Sequence, residues 1–240
     1  MNKKYLNLNK KFWSKKYYAP NVEGYIFRLK PKLLNNYINF SNKKNYKVLD
    51  FGCGEGSNIK YLSDTYSFIP YGADISQPSI KVCKKKFSRF KKNFKLIKSK
   101  PKAKDNFFNV KFDLIISVQA LYYLDNEDLY NRLLSLKKML KSNGYVFFTM
   151  ISTKHGYWKY HSNKKINSQG LTLINLISNK KYKKRNKQST YKHYINFVKS
   201  EKNLIKKFKM FKKNNIGYYD GSLESTKLSD HHFTFFGQNK

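Results

Sequence analysis

The sequence predicts an α/β protein built on a doubly wound sheet of seven strands, mostly parallel, with a C-terminal antiparallel hairpin and helices on both faces. Three observations carry that expectation. Short apolar runs alternate with stretches of helical periodicity between residues 46 and 151, the pattern of repeated strand–helix units. The first run, Val48-Leu49-Asp50-Phe51, opens into glycines at alternate positions, Gly52, Gly54 and Gly56. Near the C-terminus, Ile216–Tyr219 and His232–Phe236 read as two strands joined by a polar loop.

Residues 1–23 are polar with aromatic islands at Phe12-Trp13 and Tyr17-Tyr18. Pro31 suits a first helical turn, and Leu33, Leu34, Tyr37 and Ile38 follow on one face. Arg28 just ahead of it is expected in solvent. Val48–Phe51 is the first strand, and the glycine turn after it lets the backbone swing tightly because no Cβ obstructs positive φ or close approach. A helix with Ile59 and Leu62 inside should follow, aiming its amide-rich end at whatever lies over the glycines. Phe68–Asp74 is strand two, and Ser76 caps a helix carrying Ile80, Cys83, Phe87 and Phe90. Phe94–Ile97 and Phe112–Val118 are strands three and four. Asp125 caps the next helix, with Leu129, Leu133, Leu136 and Leu140 inside, lysines 137, 138 and 141 in its last turn, and Asn143-Gly144 ending it. Tyr145–Ile151 is strand five.

Residues 153–193 break the alternation. They hold His155, Trp158, Tyr160 and His161, an apolar run from Leu171 to Ile177, and a basic block from Lys180 to Lys192. Ser200 and Glu201 then open a helix with Leu204, Ile205, Phe208 and Phe211 inside. We expect one domain over 1–240, with an N-terminal helix region over 1–45 and a basic insertion over 153–193.

The chain has 50 Lys and Arg against 14 Asp and Glu, a net charge of +36. That excess attracts polyanions such as RNA. Only Arg28, Arg89, Arg132 and Arg185 are arginines, whereas bidentate phosphate recognition favours Arg. The abundance of Lys, Asn, Tyr, Phe and Ile together points instead to compositional drift. No apolar run approaches a membrane span and the N-terminus lacks a signal-peptide stretch. Cys53 and Cys83 have no metal-ligand spacing and read as reduced thiols. The expected location is therefore cytoplasmic.

Asp50 and Glu55 select the ligand of the glycine turn. A dinucleotide would set its pyrophosphate there, and two carboxylates would repel it. A ligand with an ammonium group, such as S-adenosylmethionine, is favoured instead. Val48–Gly56 resembles the first motif of the class I S-adenosylmethionine-dependent methyltransferases almost residue for residue. Tyr71–Ser76 is similar to their second motif, and Phe112–Ser117 and Leu140–Val146 resemble strand four and the approach to strand five. The resemblance implies a Rossmann-like fold, S-adenosylmethionine as cofactor, and cofactor contacts from Asp50, Gly52, Cys53, Gly54, Glu55, Gly56, Asp74, Ile75, Ser117 and Gln119. Asp74 would meet the ribose hydroxyls, residues 1–45 would include a lid over the cofactor, and 153–193 would form an inserted basic substrate cap. An acid or amide is usual shortly after strand three to meet the adenine, but here the chain reads Lys98-Ser99-Lys100-Pro101; Asp105-Asn106 or backbone groups would have to substitute.

Methyl transfer needs an aligned acceptor, exclusion of water and, for some acceptors, removal of a proton. His155, just beyond strand five, is the candidate general base. Tyr122 and Tyr123 could line an acceptor pocket, whereas His231-His232 on an outer strand is expected to lie too far away. After strand four stands Ser117-Val118-Gln119-Ala120, which lacks the proline–aromatic motif of base amino-methylating enzymes and the acid of ribose 2′-O enzymes. Neither cysteine fits a cytosine C5 nucleophile, and no clustered carboxylates suggest a metal. A small-molecule, sugar or lipid-linked acceptor is the first expectation; an RNA-modifying or RNA-binding protein on the same scaffold is the alternative.

Overall fold

The computed structural model describes residues 4–14, 45–175, 192–220 and 229–239. The helix expected at Pro31 and the basic run 180–191 lie outside the described residues.

The main sheet contains β1 (Lys47–Phe51), β2 (Ile69–Asp74), β3 (Phe94–Leu96), β4 (Phe112–Ser117), β5 (Leu140–Ile151), β8 (Lys212–Asp220) and β9 (His231–Gln238). Their order is β3-β2-β1-β4-β5-β9-β8. The first five run parallel, and β9 pairs antiparallel with both β5 and β8. The seven-stranded, mostly parallel sheet with its terminal hairpin is therefore present. A second, two-stranded antiparallel sheet joins β6 (Thr172–Asn175) to β7 (Lys192–Ile195), within the segment expected as an inserted cap.

Helices cover both faces, as in a doubly wound sheet. On one side α2 (Ser57–Tyr66) and α3 (Gln77–Lys86) bury Ile59, Leu62, Ile80 and Cys83 against Val48, Ile116 and Phe147. On the other, α4 (Asn126–Met139) and α5 (Glu201–Lys207) bury Leu129, Leu133, Leu136 and Leu204 against Leu49, Ile115 and Phe148. The caps expected at Ser76, Asp125 and Ser200 all form, each side chain accepting the backbone N–H three residues on. α1 (Lys4–Ser14) buries Tyr5 and Leu6 with Leu171. Asn9 of that helix donates to the Tyr123 and Tyr194 carbonyls, which ties it to the turn after β4.

Three local expectations need correction. α4 stops at Met139, and Leu140 to Gly144 already belong to β5. A Cβ at Gly144 would lie 2.9 Å from the Phe112 carbonyl oxygen, so this glycine serves close strand approach at a register shift between β4 and β5. Ile205 is half exposed rather than inside: in a helix of only seven residues, Leu204 and Phe208 form the buried line. Finally, β9 lies between β5 and β8 with His232 opposite Ile151. His231-His232 thus sits beside the C-terminal end of β5, not on a remote outer strand.

Candidate active site

The glycine turn is shaped as its sequence requires. Gly52, Gly54 and Gly56 have φ of +77°, +50° and +80°, a region that costs L-residues about 1–2 kcal/mol. Their surroundings differ. A Cβ on Gly52 would strike the Ala120 Cβ at 2.3 Å, whereas one on Gly54 would meet no described residue within 4 Å. Gly52 therefore lets the turn pack on the segment after β4, and Gly54 faces open space.

Asp74, at the end of β2, organises this turn. Its Oδ2 accepts the Gly54 N–H at 2.8 Å and its Oδ1 the Ser76 N–H at 2.8 Å. Burial pushes the carboxyl up despite these bonds, which favour its charged form. The Ile75 N–H bonds the carboxylate as well, and its remaining acceptor sites are open to ligand hydroxyls. Cys83 on α3 donates its thiol to the Gly54 carbonyl at 3.2 Å, and Lys86 donates to the Glu55 carbonyl at 2.8 Å. The Glu55 side chain is exposed. Cys53 is buried, its thiol pushed well up by its hydrogen bond with Cys83 and by burial.

Asp50 stands apart. It is wholly buried and neither carboxylate oxygen has a hydrogen-bond partner among the described residues. Burial, and secondarily the charge of Asp74, pushes its pKa up to about 8. A bare buried carboxylate is costly, and a cationic ligand group is the natural compensation.

Beyond β4, the Ser117 hydroxyl is spent on the Phe51 carbonyl at 2.8 Å, which locks the ends of β1 and β4 together. Gln119 adopts φ of +55°, unusual for a residue with a side chain and a mark of functional sites. Its N–H is held by the Thr149 hydroxyl at 2.8 Å and its Nε2 donates to the Tyr219 hydroxyl at 3.0 Å. Ile75 is half-buried just past Asp74. Asp105, the possible adenine partner, instead pairs with Arg132 at 3.3 Å. That guanidinium is wedged between the Phe51 and Phe107 rings.

All five histidines of the chain, 155, 161, 193, 231 and 232, are buried and linked by ring contacts to one another or to tyrosines. His155 Nδ1 accepts the Tyr157 N–H at 2.9 Å, which assigns its proton to Nε2, 2.9 Å from Asp230 Oδ1. His232 Nδ1 lies 3.0 Å from the Asp230 carbonyl oxygen. A carbonyl only accepts, so Nδ1 carries the proton and Nε2 is a lone pair, buried and without a partner among the described residues. The ring stacks on Tyr219 with centroids 5.0 Å apart and leans on Tyr122 at 5.7 Å. Burial lowers His232 and His193 to about 4. His155, Asp230 and His232 bring three ligand-type atoms within 4.8 Å of one another. Yet a metal-bound histidine ordinarily donates its second ring N–H, and His155 Nδ1 accepts instead.

The geometry thus joins Asp50, Gly52, Gly54, Asp74 and Gln119 around one turn, while Ser117 and Glu55 direct their side chains elsewhere. Sequence reasoning missed His232, Asp230 and Tyr219, because their relevance depends on β9 inserting next to β5. The signal that could have found them is the run Asp230-His231-His232 itself, at the start of the last strand.

Comparison with known proteins bears on this arrangement. A family of methyltransferase domains matches residues 48–144, from the first strand through the approach to β5. Over that stretch the chain is similar to methyltransferase domains. A methyltransferase from Methanosarcina mazei, described as SAM-dependent, superposes with a TM-score of 0.64 at 15% identity, covering 86% of this chain and 96% of its own. An S-adenosylmethionine-dependent methyltransferase from Clostridium acetobutylicum gives 0.59 at 16% identity, covering 86% and 88%. The N-methyltransferase NodS from Bradyrhizobium japonicum, in complex with S-adenosyl-L-homocysteine, gives 0.58 at 13% identity, covering 98% and 97%. These likenesses show a fold shared with S-adenosylmethionine-dependent methyltransferases. Among proteins of curated function the sequence has no match.

Proposed function

We propose that this methyltransferase uses S-adenosylmethionine to methylate a small-molecule acceptor, a metabolite, sugar or lipid-linked compound. The observation that carries the cofactor assignment is the buried Asp50 carboxyl, without a partner among the described residues, beside a glycine turn that opens at Gly54. An ammonium group offsets such a charge, and a pyrophosphate would worsen it. The cofactor supplies an electrophilic methyl carbon on a sulfonium.

The residues of the chain bind and orient. Asp74 has lone pairs left for two ribose hydroxyls, and Gly54 leaves room for close approach. Ile75 offers an apolar edge to a base. Gln119, held at both its N–H and its side chain, defines the wall between cofactor and acceptor. Tyr122, Tyr219 and His232, buried and in ring contact with one another, would contact the acceptor where water is excluded. In this reading His155 is a positioning residue that orients Asp230, since both of its ring nitrogens are engaged.

The test is an incubation with methyl-labelled cofactor and a cell extract fractionated into RNA, protein, lipid and small molecules. Label is expected in the small-molecule or lipid fraction. Label confined to RNA would replace the acceptor class, and calorimetric binding of NAD without S-adenosylmethionine would overturn the cofactor.

A further inference from the structure

We propose that His232 is the group that receives the methyl acceptor: its Nε2 accepts a hydrogen bond from an O–H or N–H of a neutral acceptor, which lies against the rings of Tyr122 and Tyr219. The inference rests on the methyltransferase reading above and adds the chemical class of the acceptor and its contact residue.

Four observations lead here. The first is tautomer: the Asp230 carbonyl holds the proton on Nδ1 and leaves Nε2 as an acceptor only. The second is want of a partner. Among the described residues Nε2 is buried with no hydrogen bond, and an unsatisfied buried acceptor is costly, so a donor that enters recovers that loss. The third is position. Gly52 packs on Ala120, the neighbouring Gln119 bonds Tyr219, and Tyr219 stacks on His232, so a continuous line of contacts runs from the glycine turn to this ring. The fourth is rigidity: stacking on Tyr219 at an interplanar angle of 9° and pairing of β9 with β5 fix the ring plane.

The chemistry balances without further reagents. As the acceptor heteroatom takes up the methyl group, its X–H bond breaks. The proton moves to Nε2 and the electron pair stays on the heteroatom. The positive charge lost from the sulfonium reappears on the imidazolium, from which the proton passes to solvent when the site opens. A metal at this position is disfavoured by the accepting Nδ1 of His155, and it remains one outcome of the test.

The experiment uses the full chain labelled with ¹⁵N-histidine and saturated with S-adenosylhomocysteine, whose binding is measured separately by calorimetry. Imidazole ¹⁵N spectra at neutral pH should show His232 protonated on Nδ1 only. Titration with phenol, a bare aromatic O–H donor, should shift the His232 Nε2 resonance upfield and leave Nδ1 nearly unmoved. His232→Asn keeps a donor toward the Asp230 carbonyl and removes the distal lone pair. It should bind S-adenosylhomocysteine within about threefold of the parent and lose saturable phenol binding. Protonation on Nε2, a shift marking a bound zinc ion, or a resonance that phenol leaves unmoved because a fixed water occupies the lone pair would each overturn the proposal. Failure to bind S-adenosylhomocysteine at all would instead overturn the methyltransferase reading, so the two failures are told apart.

Discussion

Asp74 Oδ2 accepts the Gly54 N–H at 2.8 Å, so the acid that ends β2 also fixes the middle of the glycine turn that follows β1. One carboxylate therefore fixes the turn, and in the proposed function it also meets the ligand. Asp74→Ala should weaken S-adenosylmethionine binding by about 1.5–3 kcal/mol, the loss of charge-assisted bonds to two hydroxyls. Gly54→Val should abolish binding altogether. No atom of the described residues lies within 4 Å of a Cβ at that position, so the new side chain is expected to enter ligand space, with its φ the main cost to the fold. Calorimetry of both variants checks this, and unchanged affinity in Asp74→Ala would remove the residue from the site.

Asp50 makes binding depend on pH. With its pKa pushed up to about 8 by burial and by Asp74, the free protein holds a proton there at neutral pH. An ammonium ligand favours the carboxylate, so binding releases that proton. Affinity should accordingly rise with pH, by up to about tenfold per unit between pH 6 and 7, and level off near the free-state pKa. Asp50→Asn should flatten the dependence. Calorimetry in two buffers of different ionisation enthalpy reads the proton release directly, and no release would show that the carboxylate does not sense the ligand.

The buried histidines set the acid limit of stability. Burial lowers His193 and His232 to about 4, and lowers His161 and His231 as well. A group whose folded pKa is depressed takes up protons more readily when unfolded. Stability is therefore complete above the ordinary histidine value of about 6.5 and falls as pH drops from there toward about 4. Each of the two most shifted rings contributes a slope of up to about 1.4 kcal/mol per pH unit. Thermal unfolding between pH 7.5 and 4.5 should show the decline, and His232→Asn should make it shallower. A flat profile would mean that the rings are not held neutral.

What could be read from sequence was local. The strand into Gly52, the caps at Ser76 and Asp125, and Asp74 at the end of β2 depend on neighbours within a few residues, and each stands where expected. Tertiary choices were not legible. Gly144 looked like a helix stop, but a carbonyl from β4 presses on it and it lies in a strand. Arg132 sits on the helix face read from its leucines, where two phenylalanines and Asp105 make a charged side chain tolerable. His232 depends on strand order: a run that pairs with β8 as a hairpin also pairs with β5, which no local pattern encodes.

The charge offers the last prediction. Twelve of the 24 residues from 81 to 104 are Lys or Arg, and no acid occurs between Asp74 and Asp105. All twelve are exposed, running from α3 over the edge strand β3 to the loop beyond. Such a face attracts phosphate chains at low salt whatever its origin. If the lysines are compositional, binding to RNA will be insensitive to sequence and nearly gone at about 150 mM salt, where exposed charges are screened beyond about 8 Å. It will then depend on how many charges are present, not on where they lie. Neutralising Lys84, Lys85, Arg89, Lys92, Lys95 and Lys98 should weaken binding no more than neutralising Lys199, Lys202, Lys206, Lys209, Lys212 and Lys213 near the opposite edge. Each lost phosphate contact should flatten the slope of log K against log salt by about 0.7 on single strands in either case. Fluorescence anisotropy with a labelled oligouridylate measures both variants. Sub-micromolar binding at that salt, lost only when the β3 face is neutralised, would identify a selected RNA surface and move the acceptor from small molecules to RNA.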